Sequence, residues 1–347
     1  MDVLSVHENK PNPAPIPYTK IVEAYGLRKC PKLVEQVADD DVEVRINALA
    51  VLCDEFNNPY NIYGCAKAGV IKVLSSMVVD PDYITRDRAS MALAIAARDA
   101  NGLTAILEDD AVKDILQGIN DPAVSVRAQV YECLYEVTRT NDGVIACVEA
   151  GVTKAFVSAV KDEEDDLKPM MLRTIHNTSQ VEQGLYDVLD AGAVPVCIYL
   201  LQNELPEVRM HAARTLGFLC FADVAKDQAI VEGAVPRLIA LLKQQPTDVR
   251  VAATSALMAI TSTDEGKRQI LPCGGVPFLL ELLFDSSRIV QINTLKIIAN
   301  AAVFPPIRKI LREDEECLST LKIMAEGSDS LLKKHATVAL NATLWMP

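Results

Sequence analysis

Apolar residues in EGAVPRLIALL (232–242) recur at spacings of three and four, the period of a helix with one buried face, and a glycine and a proline mark its start. The pattern returns in DAGAVPVCIYLL (190–201) and PCGGVPFLLELL (272–283). With the proline lost it also occurs in KAGVIKVLSSMV (67–78), EDDAVKDILQGI (108–119) and EAGVTKAFVSAV (149–160). Aligned on the glycine, the anchors are Gly69, Asp110, Gly151, Gly192, Gly233 and Gly274, each step 41 residues long. Self-similarity at a fixed period of about 20 to 50 residues predicts stacked structural repeats.

A second register runs in parallel. Arg45, Arg86, Arg127, Lys168, Arg209, Arg250 and Gln291 are also 41 apart, and Lys333 continues the series after a one-residue slip. Three residues later stand Ala48, Ala89, Val130, Met171, Ala212, Ala253, Thr294 and Ala336. Seven later stand Leu52, Leu93, Leu134, Ile175, Leu216, Leu257, Ile298 and Leu340. These spacings put both columns on one helix face, which predicts an inter-repeat core. Each unit reads as a short helix such as DEGKRQIL (264–271), a glycine break, a second helix such as VPRLIALL, a turn, and a longer third helix such as VRVAATSALMAIT (249–261). Six residues before the basic column lie Asp39, Asp80, Asp121, Asp162, Asn203, Gln244 and Asp285, in the turn before the third helix. Short acceptor side chains bond free backbone N–H groups at such turns. The basic column is expected to bond these or adjacent turn carboxylates across the stack, rather than to form a ladder of partner-binding cations.

Composition narrows the class. Half of the 347 residues are apolar and 5% aromatic, a balance that suits packed helices, so the expected fold is all-α. The net charge of −13 argues against nucleic acid, whose binding rests on Lys and Arg at phosphates, and against an anionic membrane surface. No apolar run approaches the roughly 18 to 20 residues that span a bilayer. The start MDVLSVHENKPNPAPIPYTK lacks signal-peptide regions, so the expectation is a protein kept on the cytosolic side. The nine cysteines form no CxxC pair and read as buried free thiols, and the four histidines make no ligand spacing. No cofactor, metal or small-molecule substrate is expected. There is no Gly-rich phosphate loop and no GxSxG, and the acidic runs EEDD (163–166) and EDEE (313–316) read as solvated inter-helix segments. Catalysis is not expected.

Glycine, AVP, LIALL, a turn and a third helix with Ala and Leu columns resemble the armadillo repeat over about residues 20 to 345, with a HEAT-like character in DDDVEVRINALAVL (39–52). That resemblance implies a right-handed superhelical solenoid of about eight repeats over 18–347. The amino end is more specific: PIPYTKIVEAYGLRKCPKLVEQV (15–37) and ALAVLCDEFNNPYNIYGCAKAG (48–69) resemble the armadillo-repeat radial spoke proteins of motile cilia and flagella. The matching residues are Thr19, Lys20, Gly26, Arg28, Pro31, Lys32, Leu33, Leu52, Cys53, Asp54, Pro59, Ile62 and Tyr63. The resemblance implies a non-catalytic structural subunit of the spoke, made in the cytoplasm and residing in the axoneme, with other spoke subunits as partners.

Two rival readings stay open: a cytosolic armadillo scaffold, and a peptide-binding adaptor of the nuclear import receptor type. The latter uses an Asn on the third helix of most repeats. Here that position, nine after the basic column, reads Asp54, Ile95, Glu136, Asn177, Phe218, Ala259 and Asn300. Asn177 and Asn300 are therefore candidate partner-binding residues. So are Pro11, Pro13, Pro15 and Pro17, in a segment (1–17) whose prolines predict an extended or disordered tail able to dock on a neighbouring subunit.

Overall fold

The computed structural model describes residues 26–346, and every regular element among them is helical. Contact density divides the chain into two compact units, with the division between Cys133 and Leu134. The candidate prolines at 11, 13, 15 and 17 lie outside the described residues.

The first unit begins with Lys29–Val37 and Val42–Glu55, followed by the triplet Pro59–Lys67, Val70–Met77 and Tyr83–Arg98, then Ala100–Glu108 and Val112–Leu116. In the second unit the triplets are regular. Asn141–Glu149, Val152–Ala159 and Lys168–Thr178 are followed by Glu182–Asp190, Ala193–Leu200 and Pro206–Leu219. Asp223–Val231, Ala234–Leu241 and Thr247–Ile260 come next, then Asp264–Ile270, Gly275–Leu282 and Arg288–Ala301. Pro305–Glu313, Glu315–Glu326 and Ser330–Leu344 form the last triplet. The short–short–long order is the one the 41-residue period predicts.

The glycine column has a backbone cause. Gly69, Gly151, Gly192, Gly233 and Gly274 have φ between 67° and 83°, the left-handed region, and each starts a second helix. Asp110 holds the same place with φ 50°, the sole non-glycine at positive φ among the described residues. Asp is one of the few side chains that tolerates this region. The last triplet has no such residue: its second helix instead starts from Asp314, whose carboxylate caps the Cys317 N–H at 2.8 Å.

The two predicted core columns are buried from Ala48 and Leu52 through Thr294 and Ile298. In the last described repeat Ala336 is buried and Leu340 half-buried. Close approach also depends on a position outside both columns. A Cβ on Gly217, in Pro206–Leu219, would lie 3.1 Å from the Ala256 Cα in Thr247–Ile260.

Candidate protein-binding face

The basic column is used inside the stack. Arg86 donates from Nε to Asp121 Oδ2 at 2.5 Å and from Nη1 to the Asp80 and Pro81 carbonyls. Arg250 repeats this with Asp285 Oδ2 at 2.6 Å and the Gln244 and Gln245 carbonyls. Arg209 does so with the Gln244 side chain at 3.0 Å, and Arg45 more loosely with Asp80 at 3.4 Å. Each side-chain partner belongs to the turn of the next repeat, and each carbonyl partner to the arginine's own turn. The same turn residues accept the N–H two positions on: Asp41 to Asp39, Asp82 to Asp80, Ala123 to Asp121, Leu205 to Asn203 and Ser287 to Asp285. The column is therefore structural, as its spacing predicts.

Lys168 departs from this arrangement. Its buried ammonium reaches Asp165 within its own turn at 2.6 Å, and Asn203 of the next repeat donates to the same oxygen at 2.7 Å. Those two bonds hold the Asp165 carboxyl below its ordinary range. The run EEDD is thus not simply solvated, since Asp165 links two repeats.

Asn177 and Asn300 stand at equivalent points of Lys168–Thr178 and Arg288–Ala301, both half-buried. Each amide donates to a threonine of the preceding repeat: Asn177 to Thr138 at 3.1 Å, Asn300 to Thr261 at 3.4 Å. One N–H of each amide therefore serves the stack.

Around Asn177 the third helices assemble a cationic and aromatic cluster. The Arg173 guanidinium stacks 3.9 Å from the Tyr135 ring centroid and donates to its hydroxyl. His176 meets Phe218 edge-on at 5.1 Å, and Phe218 meets Phe221, which is exposed, at 6.0 Å. Burial, and then the charges of Arg214, Arg173 and His176, push the His211 pKa down to about 4. His176 is lowered by burial and by Arg214. Both imidazoles are therefore neutral at neutral pH, and the charge of the cluster comes from its arginines.

At the far end of the same helix series, Val303, Pro305, Arg308, Asn341, Ala342 and Trp345 line a pocket of about 570 Å³. Arg308 lies over the Trp345 ring at 4.7 Å, and Trp345 remains 54% exposed. This is a half-open apolar seat with a cation at its rim. A smaller pocket between Asp264–Ile270's neighbour Gly275–Leu282 and Glu315–Glu326 has Glu281, Asp314 and Glu316 at its edge and no cation.

The position nine after the basic column locates Asn177, Phe218 and Asn300 but misses Arg173, Arg214 and Lys296, five after it, and Phe221, Val303 and Trp345, twelve after it. Offsets of five, nine and twelve share one helix face, so the signal was available in the register. Among the described residues no group of three His, Cys, Asp or Glu is placed to hold a metal, and no helix is long and apolar enough to cross a membrane.

Comparison with known proteins agrees with this architecture. A family model of HEAT repeats matches residues 153–258, a different stretch from the HEAT-like 39–52. An engineered protein of known crystal structure is 24% identical with a TM-score of 0.83, over 92% of this chain and 79% of that one. A designed armadillo repeat protein superposes with a TM-score of 0.62 at 22% identity, covering 67% of this chain and 99% of its own. Another, in complex with the peptide (KR)4, gives 0.60 at 22% over the same shares. The fold is of the armadillo/HEAT repeat type.

Proposed function

We propose that this chain is a structural, non-catalytic subunit of the radial spoke of motile cilia and flagella, acting there as a protein–protein interaction scaffold and residing in the axoneme. The observation that carries the reading is the amino-terminal match, taken with where its residues sit. Leu33, Leu52 and Ile62 are buried, which packing alone requires. Asp54, Pro59 and Tyr63 are exposed, and Tyr60 beside them is 86% exposed. Pro59 starts its helix, but packing does not dictate Asp54, Tyr60 or Tyr63, so a neighbouring subunit is the natural reason for them. A stacked-repeat scaffold suits such a role because each repeat contacts its neighbours and still offers fresh surface.

The import-adaptor alternative draws on the designed armadillo protein that holds (KR)4. It fits less well, because each Asn amide already gives an N–H to the stack, at Thr138 or Thr261, and the adjacent cations would repel a basic peptide. A cytosolic scaffold is the remaining alternative.

Fractionation and imaging separate these readings. The protein should co-purify with salt-extracted axonemal spokes rather than with detergent-soluble cytosol. Null cilia should keep doublets and dynein arms while lacking complete spokes, seen by cryo-electron tomography. Intact spokes with a normal waveform would overturn the assignment.

A further inference from the structure

The triplet pattern of the second unit breaks at its last second helix, and a groove lies at the break. Each second helix that starts from a left-handed glycine is eight residues long. Glu315–Glu326 has twelve residues and follows Pro305–Glu313 after Asp314 alone, whose backbone is extended, with φ −86° and ψ 103°. The left-handed turn that orients the other second helices is therefore missing here. Between Gly275–Leu282 and Glu315–Glu326 lies a groove of about 320 Å³, built from second helices and not from third ones.

The floor of the groove is apolar. Pro277, Leu280 and Phe284 recur at spacings of three and four, one face of the helix and its exit, and Leu283 and Cys317 lie buried beneath. Phe284 is 60% exposed, so an aromatic ring stands in water at the edge of an apolar floor. The rim is acidic, with Glu281 on one wall and Asp314 and Glu316 on the other. Asp314 is engaged in capping the Cys317 N–H, and Glu313 lies 3.9 Å from Lys309. Glu281, Glu315 and Glu316 are exposed, and their carboxylates have no hydrogen-bond or ion-pair partner among the described residues. No Lys or Arg lines the groove. The run EDEE, which the sequence presents as solvated, thus borders an apolar surface.

We propose that this groove binds a short segment of a partner protein in which a large apolar side chain is flanked by Lys or Arg. The apolar side chain lies against Leu280 and Phe284, and the flanking cations meet Glu281 on one wall and Glu316 on the other. Ligand sites occupy about 300 to 1,000 Å³, and a groove at the lower end of that range has room for one or two side chains. An apolar centre inside a polar rim is the layout of a protein interface. The unpartnered carboxylates set the sign of the occupant, since an acidic peptide, a nucleic acid or an anionic membrane surface would be repelled. Arginine suits the rim because its planar fork takes a carboxylate with two hydrogen bonds. The site goes beyond the ciliary assignment and does not rest on it, because it can be tested on purified protein.

The probe is a fluorescein-labelled Lys-Arg-Leu-Leu-Arg-Lys peptide, titrated by anisotropy against the full chain. Saturable binding is expected. Glu281→Lys with Glu316→Lys should weaken it by about tenfold or more, and rising salt should weaken it as well. Both side chains are exposed, and Asp314 is left in place because it caps its helix. Glu149→Lys with Glu232→Lys makes an equal change of charge at exposed positions outside the groove, and should leave the affinity unchanged. Replacing both leucines of the peptide by serine should cost about tenfold or more. No saturable binding, an affinity insensitive to Glu281→Lys with Glu316→Lys, or an equal loss in the Glu149 and Glu232 pair would each overturn the proposal. So would equal binding of the serine peptide, or tighter binding of a Glu-Glu-Leu-Leu-Glu-Glu peptide.

Discussion

Arg250 and Asp285 stand 35 residues apart in sequence and 2.6 Å apart in space, and the second oxygen of that carboxylate accepts the Ser287 N–H at 2.7 Å. The Asp285 side chain is 5% exposed. Burial alone would raise its pKa, but the bonds from Arg250 and the Ser287 N–H outweigh it and hold the carboxyl below its ordinary range. Removing one member of a buried pair leaves the other charge uncompensated, at a cost of about 3 to 5 kcal/mol. Arg250→Ala should therefore destabilise the protein by that order in urea denaturation. A parent-like midpoint would show that the rung contributes nothing. Arg268→Ala, at an exposed ion pair of 3.9 Å, should be nearly silent.

Leu216 and Leu257 are fully buried between repeats. Replacing either by Ala should cost about 2 to 5 kcal/mol, while Glu164→Ala, at an exposed side chain, should leave the midpoint within error. Gly217→Val should also destabilise, by about 1 to 3 kcal/mol, because the added atoms meet the Ala256 backbone.

His211 gives the protein a measurable acid sensitivity. Its pKa falls from the ordinary 6.5 to about 4 on folding, so the folded state binds fewer protons than the unfolded one. Its contribution is full above pH 6.5 and is lost as the pH falls toward 4. By linkage, the loss between pH 7 and pH 5 is up to about 2 kcal/mol. His211→Gln should lose less stability over that interval than the parent. Equal losses in the two proteins would exclude His211 as the titrating group.

The thiols should be slow to react. Burial raises Cys53 and Cys317 to about 11 and Cys147, Cys197 and Cys220 to about 12, so little thiolate is present at neutral pH. A thiol reagent should label these positions only on unfolding. Cys273, half-buried and less perturbed, should be among the first to react in the native state.

Left-handed backbone at the start of each second helix supplies a paired test. Gly192→Ala should destabilise by about 1 to 2 kcal/mol, whereas Asp110→Gly should be neutral or stabilising by under about 1 kcal/mol. Thermal midpoints moving in the same direction would contradict the shared conformation.

The period of the solenoid, its two core columns and its turn acceptors were legible because stacking imposes the same demand on every repeat and so writes it 41 residues apart. Asp110 aligns with the glycines in sequence, and its φ of 50° supplies the reason. Asp165 was not legible. It departs from the column because Lys168 is too compact to imitate an arginine fork, and its rung was rebuilt inside one turn. Arg214, exposed, and Lys296, half-buried, fall outside the columns that stacking repeats, so the register does not single them out. Gly217 escaped for a related reason, since its close approach to Ala256 depends on one helix pair rather than on the register.

Asp285 both opens the third helix of its own repeat, through the Ser287 N–H, and anchors Arg250 of the repeat before it. Asp121 combines the same two tasks with Ala123 and Arg86. Local nucleation and nearest-neighbour coupling are thereby vested in one carboxylate, and the two free-energy terms of a linear-chain description of folding cease to be independent. A turn that forms late leaves its predecessor's arginine without a mate. A repeat that slips by one residue forfeits its helix start and its rung together, so the device acts as a proofreader of register during folding.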